Sequence, residues 1–484
     1  MPAIREDSLF FIPVENVCHR PVITCLPDLG LVEMARLMKT HNISGIIITE
    51  NEVPVGIVSL RDLRNLIADS VNNILTMSVR DIMKTNLITI RSSELLFKAV
   101  FLMAKHTIHR LVVVDQNGDL YGVLTDTDLL RIQTCSPLYL VQEIESAVTI
   151  DQLHQIGKKM IGMLLCAVDT NADAPSLIQL ITHFNDVFTQ RLIFILDIQH
   201  DIQLPAGAAY LVMGSEGRCE QTLRTDQDSA IVYRDNLPPE ELTKVRRFAK
   251  RIVTTLESVG IPLCPGNMMA NNPDWCHSIS EWKHLTTGWI TTPSPENAVF
   301  FGVFQDMRIL HGEKAFEEEL RTHIIECARL NSVFFAGMAS NIIRFQPPLG
   351  MFGRLLVGKS GADSGKIDLK KGGVFTLTRG IGLIALEAGI MGGTTWDKLS
   401  RLHHLNIVSD HDLEMLNESF TFLIQLRLKK QLITVSTGIE PDNLVDPQTL
   451  TYKERDQLRS AFKGVNTLIA ILNSRYQLDM IAHR

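Results

Sequence analysis

The first third of the chain repeats itself, and this repeat restricts the available folds more than any other feature. Ile23-Thr24 recurs as Ile88-Thr89, LMKTHNIS recurs as LMAKHTIH, and IIIT recurs as VVVD, with a period of about 65 residues. Each copy has the pattern of a short strand, an amphipathic helix, a pair of strands and a closing helix. A single copy could not bury its sheet well, so we expect the two copies to pack as one module.

Near its end, each copy carries a hydroxyl residue followed three positions later by an aspartate. In VGIVSLRDL these residues are Ser59 and Asp62, and in YGVLTDTDL they are Thr125 and Asp128. The copies resemble CBS domains, and in that family the hydroxyl contacts phosphate and the Asp binds a ribose diol. This is chemically sensible, because a hydroxyl at a helix start can donate to phosphate and a carboxylate can accept from two ribose hydroxyls. The same residues are also good N-caps of helices with a capping box. Both interpretations are open at this point.

CBS domains pair to form nucleotide-binding sensor modules. The resemblance implies two sites for an adenine nucleotide (AMP, ADP or ATP), one at Ser59 with Asp62 and one at Thr125 with Asp128. CBS modules commonly associate in pairs, so the resemblance also implies a homodimer.

A second informative stretch is YLVMGSEGRCEQTLRTDQDSAIVY, residues 210–233. Its first apolar run ends at Gly214 and Ser215, and Asp226 and Asp228 precede the second run, which predicts strand, turn with helix start, then strand. Two carboxylates about 4 Å apart repel by about 4 kcal/mol at an effective dielectric of about 20, so the pair favours a divalent cation or a shared proton. A Gly-Ser pair lets backbone N–H groups approach a phosphate.

This arrangement resembles the polymerase-β-type nucleotidyltransferase superfamily. The string GSEGRCEQTLRTDQD more closely resembles the nucleotidyltransferase domain found with paired CBS domains and related to the PII-protein uridylyltransferases. The resemblance implies that Asp226 and Asp228 are catalytic magnesium ligands and that Gly214 and Ser215 bind nucleotide. The alternative is an Asp-rich turn between two strands, with Ser215 capping a helix.

The resemblance to polymerase-β-type enzymes also implies a third catalytic acid on a later strand. The segment Val299–Leu310, VFFGVFQDMRIL, predicts a buried strand with Asp306 inside it, and a carboxylate there needs a metal or a cation. With three acids, two magnesium ions could lie about 4 Å apart, as in two-metal sites. The alternative is an edge pair of Asp306 with Arg308. Arg218 is either a phosphate contact or a structural partner of Glu220.

Helical periodicity dominates the segments on both sides of this region. In the connector, Asn185 and Asp186 either lie on a solvated helix face or position the catalytic domain. From about Cys327 the chain resembles the helical substrate-binding domain of the same family, whose loop has an Asp-Leu-Lys like residues 368–370. We expect Lys370 to contact nucleotide. Solvation and phosphate neutralisation are both open for the lysines of this loop, Lys359, Lys366, Lys370 and Lys371.

Two further motifs in the C-terminal third of the chain are weaker indications of function. GRLLVGKS, Gly353–Ser360, satisfies the spacing of a phosphate-binding P-loop but lacks the preceding buried strand and the following helix. His411-Asp412 is similar to part of a metal phosphohydrolase motif, but Ser409 and Asp412 predict a helix cap instead.

The predicted fold class is α+β and multidomain. We expect a tandem CBS (α/β) regulatory module at 1–135, a helical connector at 136–203, a nucleotidyltransferase domain at 204–326 with a mixed sheet and flanking helices, and an α-helical bundle at 327–484.

Composition excludes several classes of protein. The net charge of -7 argues against an extended nucleic-acid surface. No apolar run is long enough to span a membrane, and MPAIREDSLF has acids where a signal peptide would have bases. Its 8 cysteines include no CxxC pair and are expected to be reduced. We therefore expect a cytoplasmic protein without a membrane or nucleic-acid partner.

The function expected from these features is signal transduction by a CBS-regulated, magnesium-dependent nucleotidyltransferase. It would transfer a nucleoside monophosphate from an NTP to a hydroxyl acceptor and release pyrophosphate. A protein acceptor, as in PII uridylylation, is the leading analogue. The alternative is a non-catalytic sensor of adenine nucleotides that keeps a relic transferase domain.

Overall fold

A computed structural model describes residues 13–69, 74–106, 108–129, 137–169, 174–223, 226–292, 294–329, 331–350, 353–358, 364–437 and 441–481. The chain divides into two compact units, Met1–Thr134 and Cys135–Arg484.

The first unit contains the two repeats, and both have the predicted order of elements. Copy one consists of β1 (Thr24–Cys25), α1 (Leu31–Thr40), β2 (Gly45–Glu50), β3 (Val53–Ser59) and α2 (Leu60–Ala68). Copy two consists of β4 (Thr89–Arg91), α3 (Leu96–His106), β5 (Arg110–Val114), β6 (Leu120–Thr125) and a helical turn at 126–129. Each copy forms a three-stranded sheet whose first strand pair is parallel and whose second is antiparallel.

The two copies exchange their leading segments. The short 3-10 helix Val14–Asn16 precedes copy one, yet Val14 is buried with Ile90 and Leu96 of copy two. The matching helix Val79–Asp81 precedes copy two, and Val79 is buried in the core of copy one. The strands of the two copies also share a small apolar cluster. Neither copy therefore has a complete core alone, as expected for one module.

The second unit begins with the helical connector, which consists of α4 (Pro137–Ser146), α5 (Ile150–Asp169) and α6 (Ala174–His200). One side of α6 is buried along its length, including Leu177, Phe184 and Leu192. The connector shares one hydrophobic core with the sheet and the helices that follow.

The central sheet has four strands in the order β10-β7-β8-β9. Only the β8–β9 pair is parallel. The elements are β7 (Ala208–Val212), α7 (Gly214–Gly217), β8 (Ser229–Tyr233), α8 (Pro239–Ser258), a 3-10 turn (Pro273–Trp275), β9 (Cys276–Ser278), α9 (Ile279–Thr291), α10 (Pro295–Phe304), β10 (Arg308–Gly312) and α11 (Ala315–Arg329).

The C-terminal third is a helical bundle around a two-stranded ribbon, in agreement with the predicted fold class. Its elements are α12 (Ser332–Ile342), β11 (Ile367–Asp368), a π-helical turn (Lys370–Val374), α13 (Phe375–Glu387), α14 (Thr395–His404), α15 (Asp410–Ser436), β12 (Leu444–Val445), a 3-10 turn (Pro447–Thr449), α16 (Tyr452–Tyr476) and α17 (Leu478–Ile481). Ser409 caps α15 through a hydrogen bond from the Asp412 amide, as expected. In the described ranges, every helix is too short or too polar to cross a bilayer.

The prediction of a strand over Val299–Leu310 is wrong for most of this segment, because residues 299–304 belong to helix α10 and a turn follows them. Ser294 accepts a hydrogen bond from the Asn297 amide at 3.0 Å, and Pro295 occupies the first helical turn. Both features favour a helix start. A short run that is apolar on all sides does not distinguish a buried helix from a buried strand. Only Arg308–Gly312 is a strand.

Candidate functional site

The turn after β7 brings Gly214 against Asp228. Gly214 has a φ of +55°, and a Cβ added there would lie 2.6 Å from Oδ2 of Asp228. The amide of Met213 donates to the carbonyl of Asp228 at 2.9 Å. The helix that follows, α7, is a single turn of 4 residues. Ser215 lies in this turn, where its carbonyl accepts from the amide of Glu220.

The two acids of the Asp-x-Asp motif lie immediately before β8, which begins at Ser229. Between them, Gln227 points toward α8 and the loop after it, where its amide donates to the carbonyls of Val253 and Ile261. In extended backbone, alternation places the two flanking acids on the opposite face. Burial raises the pKa of Asp228, and the charge of Asp226 adds to this, although the Cys264 thiol and Lys370 oppose it. A buried carboxylate beside a second acid is suited to binding a cation.

Lys370 reaches this site from the helical bundle. It begins the π-helical turn after β11 and acts electrostatically on both Asp226 and Asp228. Burial and repulsion by Arg427 lower the pKa of Lys370, while the two acids raise it. The structure therefore brings four predicted residues together, namely Gly214, Asp226, Asp228 and Lys370.

Arg218 pairs with two acids within the protein. Its Nε donates to Oε2 of Glu220 at 2.8 Å, and its Nη1 donates to Oδ2 of Asp306 at 2.6 Å. The side chain is only 9% exposed. Arg218 is therefore a structural partner of Glu220, which was one of the two interpretations. The other interpretation, a phosphate contact, is corrected here, because these acids already pair with the guanidinium.

Asp306 is also placed differently from the prediction. It lies in the turn between α10 and β10, where Lys398 donates to Oδ1 at 2.9 Å. Arg218 and Arg379 donate to Oδ2 at 2.6 and 3.4 Å. Burial opposes its ionisation, but the charges of Lys398, Arg218 and Arg379 outweigh this and lower the pKa of Asp306 to about 2. Since cations engage both oxygens, Asp306 is not free to be the third metal ligand.

The alternative pair of Asp306 with Arg308 is not formed either. Arg308 instead donates from Nη1 and Nη2 to the two carboxylate oxygens of Asp186, each at 2.8 Å. Next to it on α6, Asn185 donates to Gln221 at 3.0 Å. The Asn185-Asp186 pair thus holds the connector on the sheet domain, and the alternative of a solvated helix face is wrong.

Sequence reasoning missed several charged residues of the helical bundle. These are Arg379 on α13, Lys398 on α14 and Arg427 on α15. In addition, the amide of Thr395 at the start of α14 donates to Glu220. A signal was present, because Arg379 and Arg427 interrupt the apolar runs VFTLTRGIGLIAL and FTFLIQLRLKKQLI. A cation that is buried with the apolar residues of such a run needs a partner.

In the first unit, both predicted nucleotide sites contain intact capping boxes. Asp62 accepts from the amide and hydroxyl of Ser59 at 2.9 and 2.6 Å and pairs with Lys84 at 2.6 Å. Asp128 accepts from the amide and hydroxyl of Thr125 at 2.7 and 2.5 Å. It also pairs with Nε2 of His19 at 2.7 Å. The two acids therefore have equivalent positions with different basic partners.

Of the loop lysines, Lys371 has its Nζ 3.7 Å from Oδ2 of Asp368. Lys359 lies outside the described residues, and so does the neighbouring Ser360. The P-loop interpretation of Gly353–Ser360 therefore falls partly outside them as well.

Models of three known families match the chain. The model described as "Putative nucleotidyltransferase DUF294" matches residues 158–296. "Putative nucleotidyltransferase substrate binding domain" matches 332–476, and "CBS domain" matches 14–69 and 79–134.

Several curated proteins and solved structures are similar to parts of the chain. Uncharacterized protein MJ1232 of Methanocaldococcus jannaschii is 36% identical over 26% of this chain and 41% of its own length. Uncharacterized protein MK0525 of Methanopyrus kandleri is 37% identical over 28% of this chain and 67% of its own length. The CBS domain protein PAE2072 from Pyrobaculum aerophilum, solved with AMP, is 26% identical over 24% of this chain and 90% of that protein, with a TM-score of 0.23.

This chain spans about two fifths of the length of MJ1232. The family models, in contrast, follow one another along the chain in the order CBS pair, nucleotidyltransferase domain and substrate-binding domain. The chain belongs to the family of CBS-pair-containing "putative nucleotidyltransferases" that carry the associated C-terminal helical domain.

Proposed function

We propose that this protein is a magnesium-dependent nucleotidyltransferase that moves a nucleoside monophosphate from an NTP to a hydroxyl acceptor and releases pyrophosphate. The observation that carries the proposal is the convergence of Asp226, Asp228 and Gly214 at the ends of two neighbouring strands. The nucleotidyltransferase family model, which covers these residues, supports it.

The donor atoms at this site fit magnesium. Mg²⁺ prefers carboxylate oxygens, and proteins commonly hold it with one or two carboxylates while substrate phosphates complete the shell. Asp226 and Asp228 provide such a pair, and burial and mutual repulsion disfavour the ionised form of Asp228 until a cation is bound. We leave Asp306 out of this ligand set, because Lys398, Arg218 and Arg379 already neutralise it.

Bound magnesium would neutralise phosphate charge and lower the pKa of the attacking hydroxyl. The residues of the chain would chiefly position the substrates. Gly214 leaves space for a phosphate beside Asp228, because a side chain there would meet the carboxylate. Lys370 would contact the phosphates from the opposite domain.

The CBS pair would regulate this activity by binding AMP, ADP or ATP. Asp62 and Asp128 would accept from ribose hydroxyls, while Ser59 and Thr125 would donate to phosphate. Family resemblance further suggests a protein acceptor similar to PII, a homodimeric state and a cytoplasmic location as parts of this proposal. The PII-like acceptor would place the protein in signal transduction.

A non-catalytic regulator is the second candidate, and the position of Asp306 favours it. Three intact acids would argue against a relic transferase domain, but Asp306 has a structural role that would be retained without catalysis. Asp226 and Asp228 are then the only acids of the three that support catalytic activity.

Label transfer distinguishes the two candidates. Cell lysate supplies acceptors, and each of the four radiolabelled NTPs is tested with magnesium, with and without AMP or ATP. We expect the wild type and the exposed-loop control Asp274→Ala to label a lysate component and release pyrophosphate. The double variant Asp226→Ala, Asp228→Ala should do neither. Equal behaviour of all three proteins would reject the enzyme and favour the regulator.

A further inference from the structure

Three cations are buried in the described part of the chain, and one of them has no acidic partner there. Arg218, Lys398 and Arg427 are 7%, 3% and 6% exposed. Arg218 pairs with Glu220 and Asp306, and Lys398 pairs with Asp306. Arg427 forms no ion pair with any described residue. Burying a charge without a counter-charge is costly, so this arginine indicates an anion that binds from outside.

Arg427 is nevertheless held in a defined position. Its Nε donates to Oδ1 of Asn443 at 2.7 Å, which leaves the two terminal nitrogens of the guanidinium for another acceptor. The carbonyl of Asn443 accepts from the amide of Leu369 at 2.9 Å, next to Lys370. Asn443 therefore links both cations to the ribbon of β11 and β12 and fixes their relative position.

The charges around Arg427 place it at the candidate active site. Burial lowers its pKa to about 10, and Asp368, Arg218 and Asp226 also act on it. Lys370 in turn responds to Arg427, Asp226 and Asp228. Two cations of the helical bundle, which Asn443 holds close together, therefore interact electrostatically with acids of the sheet domain.

We propose that Arg427 and Lys370 form an anion site that binds the polyphosphate of a nucleoside triphosphate beside Asp226 and Asp228. The identity of the ligand rests on the proposed function, whereas the anion site itself rests on a buried guanidinium that has no acidic partner among the described residues. A polyphosphate suits this mixture of charges, because some of its oxygens can bind the cationic side chains while others share a divalent metal with the carboxylates. The planar guanidinium of an arginine can donate two parallel hydrogen bonds to the oxygens of one phosphate.

Direct binding of inorganic tripolyphosphate tests this proposal without requiring chemistry. Calorimetry with the full chain and magnesium compares the wild type, Arg427→Gln and Arg475→Gln. Arg475 is a matched control, because it pairs with Glu387 at 2.6 Å and is 33% exposed. We expect about a tenfold or greater loss of affinity in Arg427→Gln, since charge-assisted hydrogen bonds are lost, and no change in the control.

Thermal unfolding without ligand separates this role from a structural one. Removing an unpaired buried cation should leave the melting temperature of Arg427→Gln unchanged or higher, while tripolyphosphate should no longer raise it. Arg427→Lys keeps the positive charge but cannot donate two parallel hydrogen bonds, so we expect its affinity for tripolyphosphate to lie between those of the wild type and Arg427→Gln. The proposal is overturned if tripolyphosphate does not bind the wild type, or if Arg427→Gln and Arg427→Lys both bind as well as the wild type does.

These outcomes are independent of turnover. Binding that depends on Arg427 in a protein that transfers no label would reject the proposed function and keep the anion site. Label transfer that is unaffected in Arg427→Gln would keep the function and reject the site.

Discussion

Nζ of Lys398 lies 2.9 Å from Oδ1 of Asp306, although 92 residues separate them in the chain. Lys398 belongs to the helical bundle, and Asp306 belongs to the sheet domain; both side chains are less than 5% exposed. Asp306 thereby anchors the bundle on the sheet. One continuous hydrophobic core spans the same boundary.

Asp306→Ala should destabilise the protein by about 3–5 kcal/mol, because it leaves buried cations without their counter-charge. Denaturant unfolding measures this change. The control Glu313→Ala removes the partner of Arg234 in an exposed ion pair and should cost less than about 1 kcal/mol. An Asp306→Ala variant with wild-type stability would contradict the anchor and return Asp306 to consideration as a metal ligand.

The fall of the unfolding free energy at acidic pH should depend on Asp306. Its folded pKa of about 2 lies below the unfolded value of about 3.9, so the unfolded chain takes up the proton first. The stabilisation is therefore present above about pH 4 and is lost as the pH falls through 2. Unfolding free energies of the wild type and Asp306→Asn should converge over this window. A difference that does not depend on pH would refute the assignment.

Asp228→Asn should lose label transfer without losing stability. Because the folded pKa of Asp228 is raised, its ionised form is unfavourable, and stability falls as the pH rises through that pKa. Removing the charge should raise the stability at neutral pH by up to about 2 kcal/mol, as in other trade-offs between activity and stability. Thermal unfolding and transfer assays measure the two effects, and a less stable variant would point to a structural role.

Gly217→Ala should disrupt the packing of α7 against Asp306. A Cβ at Gly217 would lie 1.9 Å from the carbonyl oxygen of Asp306, and neither backbone can move freely. We expect a cost of about 3 kcal/mol, the upper range for overpacking. Gly162 on α5 has open space around it, so Gly162→Ala should instead stabilise by about 0.5–1 kcal/mol. Chemical denaturation of both variants provides the comparison.

Asp62→Asn and Asp128→Asn should each weaken AMP binding at one CBS site. A carboxylate accepts from two ribose hydroxyls, whereas the amide offers one acceptor oxygen, so a tenfold loss is expected. Isothermal titration measures the affinity, and melting curves control for loss of the helix caps. Asp69→Asn, at the exposed end of α2, is the control. AMP affinity that is unchanged in both variants would reject these sites.

Local patterns in the sequence determined much of the fold. The repeat of about 65 residues predicted two similar units, because each copy carries its own strand and helix periodicities. The connector and the C-terminal third are helical in the structure, where helical periodicity predicted helices. Caps and periodicities act over about ten residues, so they can be read without knowing the tertiary structure. The strand prediction at Val299 failed because this helix has apolar residues on all its sides, so its sequence lacks the helical period of an amphipathic helix.

Only the tertiary structure decided which charges meet. The sequence placed Asp226 and Asp228 two residues apart, and this spacing alone predicted their common face. The partners of Asp306, however, are 73 to 92 residues away, and those of Arg218 and Arg308 include residues 88 and 122 positions distant. The strength of a buried ion pair depends on distance and desolvation, and neither quantity is encoded locally. Folding therefore made Asp306 an anchor, and it buried Arg427 without an acidic partner among the described residues.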